Sequence, residues 1–291
     1  MNATPLPHGD STLDRPIFVI GHARAGSTAL GAIINWHSQV GPKGEALIKQ
    51  AGIAAFLDSI RDQKEHLRYS ERLEQKDIWF DYFPGREVFT HMGKELITGA
   101  ESLSNSQARE LVARLTADCP QRRFLSKAPS NSFRIDALRS LFPDARIVAI
   151  YRRGEEVVAS WGRRSYGFGR DVRWGEVQVP RLSYLQGIRT FVRKWRETLE
   201  YVEEQRKRED FCAITYEQLC RDTRRTLGRV FEHIELAEEP YLDDVRLENG
   251  PGSCKAALPL PYRILLRALV SGGNRVIARI EEQEPPGAAA P

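Results

Sequence analysis

Gly21-His22-Ala23-Arg24-Ala25-Gly26-Ser27-Thr28 sets two glycines at G-x-x-x-x-G spacing, places an arginine between them and follows them with two hydroxyl residues. A glycine-rich turn from a strand into a helix lets several backbone N–H groups converge on an anion, and the helix dipole adds to the attraction. The spacing is that of a P-loop, whose pattern continues with Lys and then Ser or Thr. Here Ser27 and Thr28 follow Gly26, the Lys is missing, and Arg24 sits inside the loop. A nucleoside-triphosphate enzyme uses that Lys for the β- and γ-phosphates and Mg²⁺ for the charge. This loop suits a 5′-phosphate carrying one further anionic group, with Arg24 as a planar clamp of several donors. On the loop alone, an ordinary glycine turn in an α/β protein stays open as a reading.

A second group lies far along the chain. Arg152 follows an apolar run, Ser160 stands eight residues on, and Arg164 one helical turn past Ser160 falls on the same face. Arginine offers a bidentate fork for phosphate, and serine a short neutral donor. Either arginine taken singly reads as a solvated surface charge.

These residues need a scaffold that brings them together. Ile17-Phe18-Val19-Ile20 is a short apolar run ending in Gly, a buried parallel strand. Leu30, Ile33, Ile34 and His37 then keep the spacing of one helix face. Ser104 and Gln107 form a capping box before Ala108, Leu111, Val112 and Leu115. Arg123–Ser126 reads as a second strand, followed by a helix through Ile135, Leu138 and Leu141 that ends at Phe142-Pro143-Asp144. Arg146–Tyr151 is a third strand, with Val157, Val158 and Trp161 opening the next helix. Ile188, Phe191, Val192, Trp195, Leu199 and Val202 form a long helical stripe. Phe211–Thr215 is a fourth strand, and Leu227, Val230, Phe231 and Ile234 mark another helix. Strands alternating with helices predict an α/β fold of three layers, a parallel sheet flanked by helices. Ligands in such sheets bind at the carboxyl ends of the strands, where the singled-out residues lie.

The reading is one domain over 15–284, with a short lead at 1–14, a tail at 285–291 and an inserted, mostly helical region at about 41–89 that shapes an acceptor pocket. Pro259–Ile280 carries Arg263, Arg267, Arg275 and Arg279 among Leu, Ile and Val. It reads as a C-terminal helix packed on its own domain, interrupted at Gly272-Gly273, with a membrane-surface helix as the competing reading.

Composition narrows the function classes. The 291 residues hold 41% hydrophobic and 28% charged side chains, enough for a core that needs no staple. A net charge of +4, from 43 basic and 39 acidic residues, is too weak to argue for nucleic acid. Cys119, Cys212, Cys220 and Cys254 form no C-x-x-C pair and read as reduced thiols, Cys212 in a buried strand, which favours a cytoplasmic location. No run approaches the ~20 apolar residues of a membrane span, and the lead has no signal-like apolar core. No metal-ligand spacing occurs. A homodimer is compatible with the sequence and not required by it.

Arg24-Ala25-Gly26-Ser27-Thr28, Lys127-Ala128-Pro129-Ser130-Asn131, Phe142-Pro143-Asp144-Ala145, Arg152-Arg153-Gly154, Ser160-Trp161 and Ile214-Thr215-Tyr216-Glu217-Gln218-Leu219 with Thr226-Leu227 stand in this order along the chain. The series resembles the sulfotransferases that use 3′-phosphoadenosine 5′-phosphosulfate (PAPS), whose fold is P-loop-like. It departs from their usual loop at Ala25, where Ser is common, and at Ala23, where Pro is common. The resemblance runs from about Pro16 to Ile234, with an extension to Lys255. It implies that Arg24, Ala25, Gly26, Ser27 and Thr28 cradle the 5′-phosphosulfate. Arg152 and Ser160, with Arg164 as a third contact, would bind the 3′-phosphate. Tyr216 and Lys255 would contact the nucleotide, and Lys127 with Arg24 would stabilise the transferring sulfuryl group. Glu45, in a Gly-Glu after the first helix as in the protein-tyrosine branch, is implied as general base, with His22 and His37 as rivals.

The expected products are a sulfated hydroxyl acceptor (small molecule, sugar or phenol) and 3′-phosphoadenosine 5′-phosphate (PAP), with no metal. Trp79, Phe80, Tyr82 and Phe83 form an aromatic cluster able to stack on a sugar or ring. Two rival classes remain at this point: a P-loop kinase or nucleotide hydrolase, and a non-catalytic nucleotide-binding scaffold.

Overall fold

In a computed structural model of the protein, Ile17–Gly21 forms β1, buried along its whole length. Ile17 and Val19 face one core and Phe18 and Ile20 the other, which is why the run is apolar without alternation. The structure describes residues 15–40, 52–62, 64–65, 69, 73, 78, 104–117, 123–133, 135–164, 172–174, 177–179, 184–206, 208–247 and 258–282. The lead, the tail, Glu45, Lys255 and the aromatic cluster Trp79, Phe80, Tyr82 and Phe83 lie outside the described residues.

The further strands are β2 (Leu125–Lys127), β3 (Arg146–Tyr151), β4 (Val172–Trp174), β5 (Val177–Val179) and β6 (Phe211–Thr215). Among the described residues the main sheet runs β2-β1-β3-β6, with every neighbouring pair parallel. β1 therefore has β2 on one side and β3 on the other, and the register sets Gly21 beside Ile150. The opening at the carboxyl ends of β1 and β3 is the switch point at which such sheets bind ligands.

Helices cover both faces. On one side lie α1 (Ser27–Asn35) and α2 (Ile53–Ser59). On the opposite side lie α3 (Asn105–Thr116), α4 (Ile135–Leu141), α5 (Gly154–Arg164) and α6 (Tyr184–Gln205). Next in the chain, α7 (Tyr216–Arg221) and α8 (Thr223–His233) join the α1 side, and α9 (Leu260–Glu282) the α6 side. Two capping boxes start elements on cue: Ser104 with Gln107 at α3, and Thr215 with Gln218 at α7.

Three expectations need correction. β2 runs over Leu125–Lys127, because Arg123 instead makes an isolated parallel bridge to Val40. The antiparallel β4–β5 hairpin was not expected, since each strand is only three residues long and leaves no readable period. Gly272-Gly273 does not interrupt the C-terminal helix: α9 is continuous, with Leu266, Val270, Ile277 and Ile280 buried in the domain core. In the inserted region, α2 brings Phe56 against Trp36 and Tyr69, with ring centroids 5.3 and 4.9 Å apart.

Candidate active site

The loop after β1 is held at both ends. The Gly21 N–H donates to Ser132 Oγ at 2.8 Å, and that hydroxyl donates back to the Gly21 carbonyl at 3.1 Å. The Ala25 N–H donates to the His22 carbonyl at 3.0 Å and closes the turn. Arg24 has φ +73° and Gly26 φ +101°, both left-handed. For an arginine that conformation costs on the order of 1 kcal/mol and persists only where the surroundings impose it. Gly26 is the N-cap of α1, and no side chain caps the helix there. A Cβ on Gly26 would stand 2.3 Å from Tyr216 Cδ2, so the position admits glycine alone. The result is a helix start with its positive end directed at the loop, and with Ser27 and Thr28 buried in the first turn.

Arg24 and Arg152 meet across the opening. Arg24 Nε donates to Ser160 Oγ at 3.2 Å, and Arg152 Nη1 donates to the Arg24 carbonyl at 3.3 Å. The Arg152 guanidinium lies 4.3 Å from the centroid of the Tyr216 ring, a cation–π contact. Its Nη2 is 3.8 Å from Glu156 Oε2, one helical turn on, too far for a hydrogen bond. Arg152 Nε is buried and has no hydrogen-bond partner among the described residues. A buried guanidinium N–H in this condition fits an anionic oxygen supplied by a ligand. Behind it, the Trp195 indole N–H donates to the Arg152 carbonyl at 3.1 Å. The Arg153 N–H donates to Glu217 Oε1 at 3.1 Å, and burial raises the Glu217 carboxyl above its usual range.

Lys127 closes β2 beside β1, in register with Val19, and is 1% exposed. Its stem packs on α1 at Gly31, where an added Cβ would be 3.1 Å from Lys127 Cβ and Cγ. Arg164 ends α5 one turn past Ser160, its side chain lying outside the described set.

A profile of the sulfotransferase family matches residues 16–240, more than half of the chain. The chain belongs to the sulfotransferase family. No curated protein matches it significantly. Among solved structures it is similar to sulfotransferase STF9 from Mycobacterium avium, at 16% identity and TM-score 0.53, covering 92% of this chain and 78% of that one. It is also similar to STF1 from Mycobacterium tuberculosis, at 16% identity and TM-score 0.52, covering 90% and 78%. A sulfotransferase from Alicyclobacillus acidocaldarius gives 15% identity and TM-score 0.50, covering 92% and 96%. At these identities the likeness is one of fold.

In sequence, the loop and the Arg152–Ser160 pair of this sulfotransferase read as two separate anion sites. The structure interleaves them: Ser160 takes a hydrogen bond from the loop arginine, and Arg152 donates to the loop backbone. Ser132, Glu156, Trp195 and Lys194 join this neighbourhood without having been singled out by motif. Lys194 lies within electrostatic reach of His22, and burial lowers its ammonium to about 8. Ser132 and Lys194 carry no local signal and Trp195 reads only as part of the apolar stripe, because their contacts here are made only in the folded chain, whereas Glu156 is readable as the i,i+4 neighbour of Arg152. Among the described residues, no group of three His, Cys, Asp or Glu could hold a metal ion, and no helix is long and apolar enough to cross a membrane.

The two histidines are engaged by the fold. The His37 Nε2–H donates to the Ala237 carbonyl at 2.9 Å while Nδ1 accepts from the Gln39 N–H at 3.1 Å, a structural role. The His22 Nδ1–H donates to the Ala23 carbonyl at 2.6 Å, and burial lowers the ring to about 4. Folded His22 stays neutral where the unfolded chain would take up a proton, so its contribution is complete above about pH 6.5 and is lost as pH falls toward 4. Between pH 7.5 and 5 this group should remove about 2 kcal/mol of stability. Urea unfolding of wild type and His22→Asn at both pH values checks it: the loss should be markedly smaller in the variant, and equal losses would contradict it.

Proposed function

We propose that this protein transfers a sulfuryl group from PAPS to the hydroxyl of a small molecule, sugar or phenol in the cytoplasm, without a metal. The observation that carries the reading is Arg152: a buried guanidinium whose Nε has no hydrogen-bond partner among the described residues, stacked on Tyr216 and joined to the P-loop-like turn.

When bound, the donor supplies a sulfuryl group on a 5′-phosphate leaving group. Arg152 and Ser160, with Arg164, bind the 3′-phosphate. The amides of the loop and of the start of α1, with Ser27, Thr28 and Arg24, orient the 5′-phosphosulfate; Ala25 contributes its N–H but no hydroxyl. Lys127, at the end of β2 with its stem on α1, supplies the charge that stabilises the departing oxygen. Glu45 takes the proton of the attacking hydroxyl, Tyr216 lies along the nucleotide and Lys255 closes over it. The missing P-loop Lys favours a 5′-phosphosulfate over a triphosphate.

Titration calorimetry tests the reading. PAP should bind at least about tenfold more tightly than adenosine 5′-phosphate, the value of one or two charge-assisted hydrogen bonds to the 3′-phosphate. Equal affinities would contradict it, and Mg²⁺-dependent ATP binding would favour a kinase or hydrolase instead.

A further inference from the structure

Arg152 leaves the sheet in a two-residue turn, Arg152-Arg153, between β3 and Gly154, the first residue of α5. The turn precedes a helix with Arg153 at the position where Ser, Thr, Asp or Asn would cap it, and arginine cannot accept a hydrogen bond. The first N–H of α5 is therefore satisfied from elsewhere. It donates to Asn274 Oδ1 at 3.0 Å, and Asn274 Nδ2 donates to Glu155 Oε2 at 2.6 Å. Asn274 sits on α9, beyond the residues that the family profile matches.

α9 is fastened to the site at two further points. Arg153 Nη2 lies 3.6 Å from Glu281 Oε2, and Glu281 Oε1 accepts from Thr215 Oγ1 at 3.0 Å, next to Tyr216. Gly273 approaches Trp195 so closely that an added Cβ would stand 2.4 Å from the indole, and that indole holds the Arg152 carbonyl. The turn is thus gripped on one side of Arg153 by Trp195 and on the other by Asn274. A guanidinium carbon stands roughly 6 Å from its own Cα, so a turn rotated by about 10° carries it about 1 Å off target. Misplacements of that size are costly at a site that must match a fixed phosphate geometry.

We infer that Asn274 is a positioning residue for nucleotide binding, a cap supplied by the C-terminal helix that fixes the turn aiming Arg152 at the 3′-phosphate. This rests on the reading of Arg152 given above. Asn274→Ala should weaken PAP binding about five- to tenfold while leaving adenosine 5′-phosphate, which has no 3′-phosphate, bound as in wild type. Asn274→Asp keeps the acceptor for Gly154 but sets a carboxylate against Glu155, so it should also bind PAP weakly. Adding Glu155→Gln restores a donor to the pair and should recover PAP affinity.

Calorimetry with both nucleotides on variants whose circular dichroism melts are cooperative reads all of this. Wild-type PAP affinity in Asn274→Ala, an equal loss for both nucleotides, or no recovery in the double variant would overturn the inference and leave the Arg152 reading standing. Wild-type PAP affinity in Arg152→Ala would overturn both.

Discussion

Replacing Glu45 by glutamine is expected to lower turnover by about 10²- to 10⁴-fold, the value of general-base help at an attacking hydroxyl, while PAP binds as before. The amide keeps the size of the side chain and removes its capacity to take a proton. Glu45 lies outside the described residues, and its assignment rests on its place after α1 and on the resemblance to the protein-tyrosine branch. The rival histidines are poorly suited to the task. A ring lowered to about 4 is a weak base at neutral pH, and His37 has both ring nitrogens engaged. Initial rates at saturating donor check the expectation, together with PAP titrations on the same preparations. Turnover equal to wild type would remove Glu45 from the mechanism.

Arg152→Ala is expected to weaken PAP binding by about a hundredfold or more, and to erase the preference for PAP over adenosine 5′-phosphate. The substitution removes the buried Nε, the donor to the Arg24 carbonyl and the cation on Tyr216 together. Arg152→Lys keeps a charge and loses the planar fork, so it should fall between the two. Because Glu156 and Tyr216 are both buried against this side chain, the alanine variant should also melt lower. Comparing PAP with adenosine 5′-phosphate separates the two effects, since a general loss of order weakens both. An unchanged PAP dissociation constant would sink the assignment of the 3′-phosphate site.

Local rules account for much of what was readable. Three apolar runs became β1, β3 and β6 of the main sheet, because buried parallel strands need continuous apolar stretches, whereas β2, Leu125-Ser126-Lys127, has one apolar residue and its bounds were not readable from pattern. The Ser104–Gln107 box worked because both of its bonds close within one turn of chain. Gly272-Gly273 misled for the opposite reason. Glycine weakens an isolated helix, but here its missing side chain lets α9 approach Trp195, and the packing outweighs the propensity.

By itself the amino-acid sequence determined the alternation of strands and helices, the glycine turn that departs from a triphosphate loop, and the arginines and hydroxyls proposed to serve an anion. These follow from period, spacing and side-chain chemistry, all properties of neighbouring residues. Only the tertiary structure decided that Arg24 binds Ser160 across 136 positions, that Tyr216 fills the space above Gly26, and that Asn274 caps a helix 120 positions away. Those contacts are made between elements, and nothing local in the chain specifies which elements will touch. The glycine loop is accordingly joined to Arg152 and Ser160, and the helix that follows Arg152 is held in turn by α9.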